Sequence, residues 1–226
     1  MTAAGSSGVA VVLAVKPTLG AKQRLAARLD GEQRRLLALA MAGDALRTVT
    51  AVAGRARVVV VGGDPAVADL AARHGVAHLP ETGSGQSAAV AIGERWAMEN
   101  GFRRVATVAA DCALAEGDDV ERLLSSIARS RRLLVCVPDA EGTGTNAAAV
   151  TPLGEEPWRF GPDSLRRHAA VAAALDLRFR RLDLPSLRVD CDRPADLDVI
   201  LATPRPTATF HLLRHLGLAE PARARA

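Results

Sequence analysis

Two carboxylates one residue apart, Asp190-Cys191-Asp192, and a third, Asp111, at the end of the apolar run Val105 to Ala110 are the groups in this chain best suited to a hard cation. If Leu187 to Asp192 is extended, Asp190 and Asp192 point one way and Cys191 the other. Carboxylates crowded on one side repel each other unless a cation lies between them. Mg²⁺ suits such oxygen ligands and keeps positions for water and substrate phosphates. Capping offers a simpler account: Asp192 could open the helix expected at Pro194, and Asp111 could close a turn.

The second set is cationic. The sequence holds only two lysines, Lys16 and Lys22, six residues apart in one loop that also carries Arg24. A compact ammonium is a point charge for phosphate that the planar guanidinium does not copy. With backbone N–H groups, such a loop can hold a triphosphate and its developing charge, although it is neither a Walker loop nor a GxGxxG turn. Two further segments could receive anions. In Gly142-Thr-Gly-Thr-Asn146 the glycines permit close approach and the threonines offer hydroxyls, though turn chemistry alone could explain them. In Arg159-Phe-Gly-Pro-Asp-Ser-Leu-Arg-Arg-His168, Gly161, Pro162 and Ser164 open a helix whose N-terminus carries free N–H groups, with Asp163 or Ser164 as its cap.

These groups must be held by an alternating framework. Apolar runs at Val9–Val15, Arg57–Val61, Val76–Leu79, Arg104–Ala109, Leu133–Val137, Asn146–Val150, Arg178–Leu182 and Leu187–Asp190 read as strands. Helical patterns separate most of them: Asp30 to Ala51 with Asp30 as N-cap, Pro65–His74, Ser87–Asn100 closed by Gly101, a helix from Asp118 or Asp119 to about Arg129, Pro162–Leu175, Pro194–Ala202 and Thr207–Leu216. The pattern predicts α/β: a mostly parallel sheet with helices on both faces, ligands lying beyond the carboxyl ends of the strands. No repeat or linker divides it, so one domain over 1–226 is expected, with a core of about 9–203 and a frayed tail from Glu220.

With these segments in view, the chain resembles the CofC/FbiD family, guanylyltransferases of coenzyme F420 biosynthesis related in fold to the molybdenum-cofactor nucleotidyltransferases. AVKPTLGAKQRLA, GTGTNAA, RFGPDSLRRH and VDCDRPADL stand in the family's order, from Val9 to about Ala202. The resemblance implies a MobA-like, nucleotide-diphospho-sugar-transferase-like fold with a mixed, mostly parallel sheet. It implies GTP and a phosphorylated three-carbon acid as substrates, phosphoenolpyruvate in the actinobacterial branch and 2-phospho-L-lactate in archaeal relatives, with the product passed to the next enzyme of the pathway. By motif match Lys16, Lys22 and Arg24 lie on the phosphate loop; Thr145, Gly161 and Ser164 bind the acid; and Asp111, Asp190 and Asp192 hold Mg²⁺. The family's usual Gly-Asp-Leu-Pro reads Ala110-Asp-Cys-Ala113 here, and its Leu-Asn segment, which helps hold the base, reads Gly85-Gln86-Ser87. The rivals are another phosphorylated acceptor (a sugar phosphate, molybdopterin or 3-phosphoglycerate) and a degenerate relative that binds nucleotide without turnover.

Composition narrows the field further. Net charge is +4, which suits anionic partners, but aromatics are 3% with no Tyr, few platforms for stacking single-stranded nucleic acid. Three cysteines without CxxC spacing argue against a disulfide frame or a zinc site. The segment Met1 to Gly8 lacks a basic n-region and no apolar run is read as a membrane span, so a cytoplasmic protein is expected. His74, His78, His168, His211 and His215 read as helix or loop surface, with His168 alone near an anion motif. An acceptor phosphate is already ionised, so no histidine base is required.

Overall fold

The computed structural model describes residues 8–81 and 85–218. The expected tail from Glu220, most of Met1 to Gly8 and residues 82–84 of the loop before the third helix lie outside the described residues. Seven strands form one sheet: β1 (Ala10–Ala14), β2 (Val58–Val61), β3 (Ala77–Leu79), β4 (Val105–Val108), β5 (Leu133–Pro138), β6 (Thr145–Thr151) and β7 (Arg178–Arg181). Their order is β3-β2-β1-β4-β6-β5-β7. β6 runs antiparallel to β4 and β5, and every other pairing is parallel. The sheet is therefore the mixed, mostly parallel one expected. The helices are α1 (Gly31–Ala53), α2 (Pro65–His74), α3 (Gln86–Glu99), α4 (Gly117–Ile127), α5 (Ser164–Ala174), α6 (Pro194–Ala202) and α7 (Ala208–His215).

β1 shows why the sheet takes two helix layers. Its side chains alternate between faces: Val11 and Leu13 enter the core under α1, α2 and α4, while Ala10 and Val12 enter the core under α3 and α5. On the second face α3 packs so closely that a Cβ at Gly93 would overlap Val12. A third cluster joins Leu37 and Met41 of α1 to α6 and α7 and takes in Cys191. α1 thus serves two cores. This accounts for an apolar 18-residue window of mean hydropathy 1.5, enough by length and composition alone to cross a membrane, in a helix that packs into the core.

One expected strand is absent. Leu187–Asp190 forms no ladder; Pro185–Leu187 is a 3₁₀ turn and the chain to Asp192 is irregular. Pro185 provides no N–H for a ladder and opens the turn. The alternation inferred for Asp190-Cys191-Asp192 survives without a strand. Cys191 is buried in the third cluster and its N–H donates to the Asp111 carbonyl at 3.3 Å. All three cysteines are free and buried.

Candidate active site

The Cys191-to-Asp111 bond ties together the ends of two distant segments, and three carboxylates converge there. One oxygen each of Asp111, Asp190 and Asp192 lies within 4.8 Å of the others. Asp190 is held by Asn146 Nδ2, which donates to its Oδ1 at 3.2 Å and to the Arg188 carbonyl at 2.9 Å. Asp192 does not cap α6. The N-cap is Arg193, and Asp196, third in the helix, reaches back so that its Oδ2 accepts from the N–H groups of Asp192 at 2.8 Å and Arg193 at 2.6 Å. The Asp192 carboxylate is left to face the cluster.

Lys22 closes the cluster. Its Nζ donates to Asp111 Oδ2 at 2.6 Å and to Asp192 Oδ1 at 2.7 Å, and its side chain is only 10% exposed. The residue sits in the left-handed region at φ 52°. Of the three cations expected to face phosphate, Lys22 instead points at the acids. Arg24 Nη1 stands 3.9 Å from Asp192 and is largely exposed, and Lys16 is exposed on the same cleft without an ion pair among the described residues.

The charges shift one another in consistent directions. Burial, then the charge of Asp111, raises the Asp190 carboxyl above its usual range. Burial acts the same way on Asp192, but Lys22, Lys16 and Arg24 outweigh it and hold that carboxyl below the usual range. Burial alone would lower the Lys22 pKa; the attraction of Asp111 and Asp192 reverses this and raises it. Three carboxylates against one buried ammonium leave excess negative charge on hard oxygen donors, a donor set that fits a small divalent cation.

Asp111, Asp192 and Lys22 of the cluster form one wall of a cleft of about 530 Å³ at the carboxyl ends of β1 and β4, lined also by Val15, Leu19, Glu81 and Gln86. The loop after β1 is pinned by Thr18, which is 1% exposed; its N–H donates to Asp64 Oδ2 at 3.2 Å and its hydroxyl to the same oxygen. Asp64 also caps α2 through Ala66 N–H at 2.9 Å. Gly62 is required beside this loop, because a Cβ there would stand 2.8 Å from the Val15 carbonyl. Gly85 and Gln86 border the cleft, while the Ser87 hydroxyl turns away to accept from Phe160 N–H at 3.0 Å.

Thr145 precedes Asn146 on β6 and meets Ser164 at the start of α5; the Ser164 N–H donates to the Gly161 carbonyl at 3.1 Å. Ser164 Oγ donates to Thr145 Oγ1 at 3.1 Å, and both residues are almost fully buried. Gly161, at φ 109°, makes the exposed turn before them. Neither expected cap operates: Asp163 precedes α5 in the left-handed region without a side-chain capping bond, and the Ser164 hydroxyl is spent on Thr145. His168 was read as surface and is instead fully buried, with Nδ1 3.3 Å from Thr145 Oγ1. Its place on the inward stripe of α5, four residues after Ser164, was the available signal. His78 likewise lies on β3, half-buried, its Nε2 2.9 Å from the Gly62 carbonyl. Sequence reasoning also passed over Glu94, a buried acid of α3 that accepts from Gly154 N–H at 2.7 Å and from the Trp158 indole N–H at 2.5 Å. It straps the segment before Gly161 to the helix whose first turn borders the cleft.

Comparison with known proteins gives concordant results. A family model described as guanylyl transferase CofC like matches residues 9–225. The phosphoenolpyruvate guanylyltransferase of Nocardia farcinica is 39% identical over 226 residues, covering 95% of this chain and 96% of its own. The 3-phospho-D-glycerate guanylyltransferase of Colwellia psychrerythraea is 31% identical over 196 residues, covering 87% and 92%. Among solved structures, one from Desulfovibrio desulfuricans G20 assigned to the nucleotide-diphospho-sugar transferases aligns with a TM-score of 0.73 at 16% identity, covering 92% of this chain and 94% of that one. At that identity the likeness bears on the fold alone, and the fold is the one expected.

Proposed function

The chain belongs to the CofC-like guanylyltransferases and is a nucleotidyltransferase, and on that premise we propose that it transfers GMP from GTP to phosphoenolpyruvate, in the cytoplasm and as a step of coenzyme F420 biosynthesis. The observation that carries the reading is the convergence of Asp111, Asp190 and Asp192 within 4.8 Å beside Lys22, on a cleft at the carboxyl ends of the strands. An oxygen of the acceptor phosphate attacks the α-phosphorus of GTP, the bond from that phosphorus to the bridging oxygen breaks, and pyrophosphate leaves with the electron pair. Asp111, Asp190 and Asp192 would hold Mg²⁺, which supplies charge neutralisation between the two reacting phosphates. Asn146 fixes the Asp190 carboxylate for this task, and Asp196 leaves that of Asp192 unspent. Lys16 and Arg24, exposed on the loop over the cleft, meet the charge that develops on the leaving pyrophosphate, and Lys22 adds its ammonium from within the cluster. Thr145, Gly161 and Ser164 receive the acid. The attacking oxygen is ionised from the start, so the chain needs no general base.

The acceptor is the point to test, since relatives are named for two different acids. The protein is incubated with GTP, Mg²⁺ and, separately, phosphoenolpyruvate, 2-phospho-L-lactate and 3-phosphoglycerate, and the guanylylated product is sought by mass. Product in the phosphoenolpyruvate arm is expected, and its loss in Asp190→Ala. Product from another acid alone overturns the acceptor assignment; unchanged turnover in Asp190→Ala overturns the assignment of the cluster.

A further inference from the structure

His168 is the one fully buried histidine among the described residues, and both its nitrogens are engaged. Nε2 accepts from the Arg159 backbone N–H at 2.9 Å. A backbone amide can only donate, so Nε2 carries no proton, and the proton of a neutral ring must then sit on Nδ1. The ring is neutral under ordinary conditions. Burial drives its pKa down to about 4, the Arg159 and Arg167 charges adding to this and the Ser164 carbonyl opposing it. Phe160 meets it edge-on with ring centres 5.0 Å apart, which fixes its plane.

The protonated nitrogen faces Thr145 Oγ1 at 3.3 Å, its hydrogen shared with the Ser164 carbonyl, and Ser164 Oγ donates to Thr145 Oγ1 at 3.1 Å. A hydroxyl oxygen has two lone pairs and one hydrogen. With both lone pairs receiving donors, the Thr145 hydrogen remains to be donated elsewhere.

We propose that His168 is a positioning residue: by donating from Nδ1 to Thr145 Oγ1 it fixes the Thr145 hydroxyl as an outward donor to the anionic acceptor acid. The inference rests on the reading that Thr145 and Ser164 belong to the acceptor subsite. A donor of fixed direction favours a group that can only accept, such as a phosphate or carboxylate, over an alcohol. It also supplies recognition without adding a charge to a buried site, where an unpaired charge would be costly.

Two substitutions separate the ring's two bonds. In His168→Gln the amide oxygen can take the place of Nε2 and accept from Arg159 N–H, while the donor to Thr145 is lost. In His168→Asn the amide nitrogen can take the place of Nδ1 and donate to Thr145, while Arg159 N–H is left without a partner. Thermal midpoints, KM for phosphoenolpyruvate and for GTP, and calorimetric Kd for phosphoenolpyruvate are measured for both and for wild type. His168→Gln is expected to raise KM and Kd for phosphoenolpyruvate about tenfold, the size of one lost hydrogen bond, with KM for GTP and the thermal midpoint near wild type. His168→Asn is expected to melt earlier and to bind the acid normally. Acid affinity unchanged in His168→Gln, or acid and GTP affected alike in both variants, overturns the proposal. Wild type that binds phosphoenolpyruvate without turnover overturns the transfer reaction and leaves the binding comparison to decide this inference; wild type that does not bind it overturns both.

Discussion

The two ends of the site solve opposite problems. At one end Lys22, Asp111 and Asp192 carry full charges, with side-chain exposures of 10%, 28% and 41%. At the other, Thr145, Ser164 and His168 carry none and are 7% exposed or less. A charge can be kept only where a partner or water offsets its lost hydration, so the acids stop at the cleft wall and share an ammonium. A neutral hydroxyl or imidazole can go deeper if each polar atom finds a partner, and these do. The charged end should therefore answer to cations and the neutral end to the integrity of its hydrogen bonds.

Removing the internal cation breaks the comparison most severely. Lys22→Met keeps most of the length of the side chain but leaves three carboxylates facing one another. GTP-dependent turnover is expected to fall about a hundredfold, as when one preorganised charge-stabilising donor is removed. Without divalent cation the variant should also lose about 1–2 kcal/mol of stability, a value discounted from that of a fully buried pair because the acids are partly exposed. Added Mg²⁺ should raise the melting temperature of Lys22→Met more than that of wild type, because in wild type Lys22 already occupies two of the acids. Equal responses to Mg²⁺ would show that the ammonium and the ion do not share these carboxylates.

The same contrast explains what could be read before the structure. Charged groups betray themselves by type and placement: two lysines in one loop, and carboxylates after apolar runs. The framework was legible for a related reason, since continuous runs such as Val58–Val61 are buried on both faces and need no partner to be recognised. The antiparallel insertion of β6 between β4 and β5 was not legible, because strand order is written in no local pattern. Nor were Asn146, Asp64 and His168. Their meaning depends on Asp190, Thr18 and Arg159 with Thr145, partners distant along the chain or on a different element. The strand expected at Leu187–Asp190 failed where Pro185 turns the chain, yet the burial of Cys191 still sends its acidic neighbours the other way.

The neutral end is sharpened by acid. His168 has a pKa of about 4 in the folded chain against an ordinary 6.5. Between these values the unfolded chain binds a proton that the folded one refuses. The stability His168 permits is therefore complete above about pH 6.5 and is lost as pH falls toward 4, by on the order of 3 kcal/mol. Urea unfolding at stepped pH should show this loss in wild type and a flatter profile across the same window in His168→Gln, where nothing titrates at that position. Parallel profiles would place the acid sensitivity in the carboxylates of the charged end instead.

The smallest effect concerns a residue that touches neither substrate. Asp196 accepts from Asp192 N–H and Arg193 N–H, reaching back from the first turn of α6 to hold the backbone of Asp192. Asp196→Ala should cost about 1 kcal/mol of stability, as lost N-caps do. It should also lower turnover by up to about tenfold, in line with other groups that orient a ligand without being one. The two effects have separate origins: the first is the unsatisfied start of α6, the second the freedom Asp192 gains to turn from the cluster toward the vacated N–H groups. Asp196→Asn keeps an acceptor oxygen at the cap, so it should recover most of the stability and, with Asp192 again unspent, most of the turnover. Recovery of stability without recovery of turnover would mean that the negative charge of Asp196, rather than its hold on the Asp192 backbone, is what the site uses.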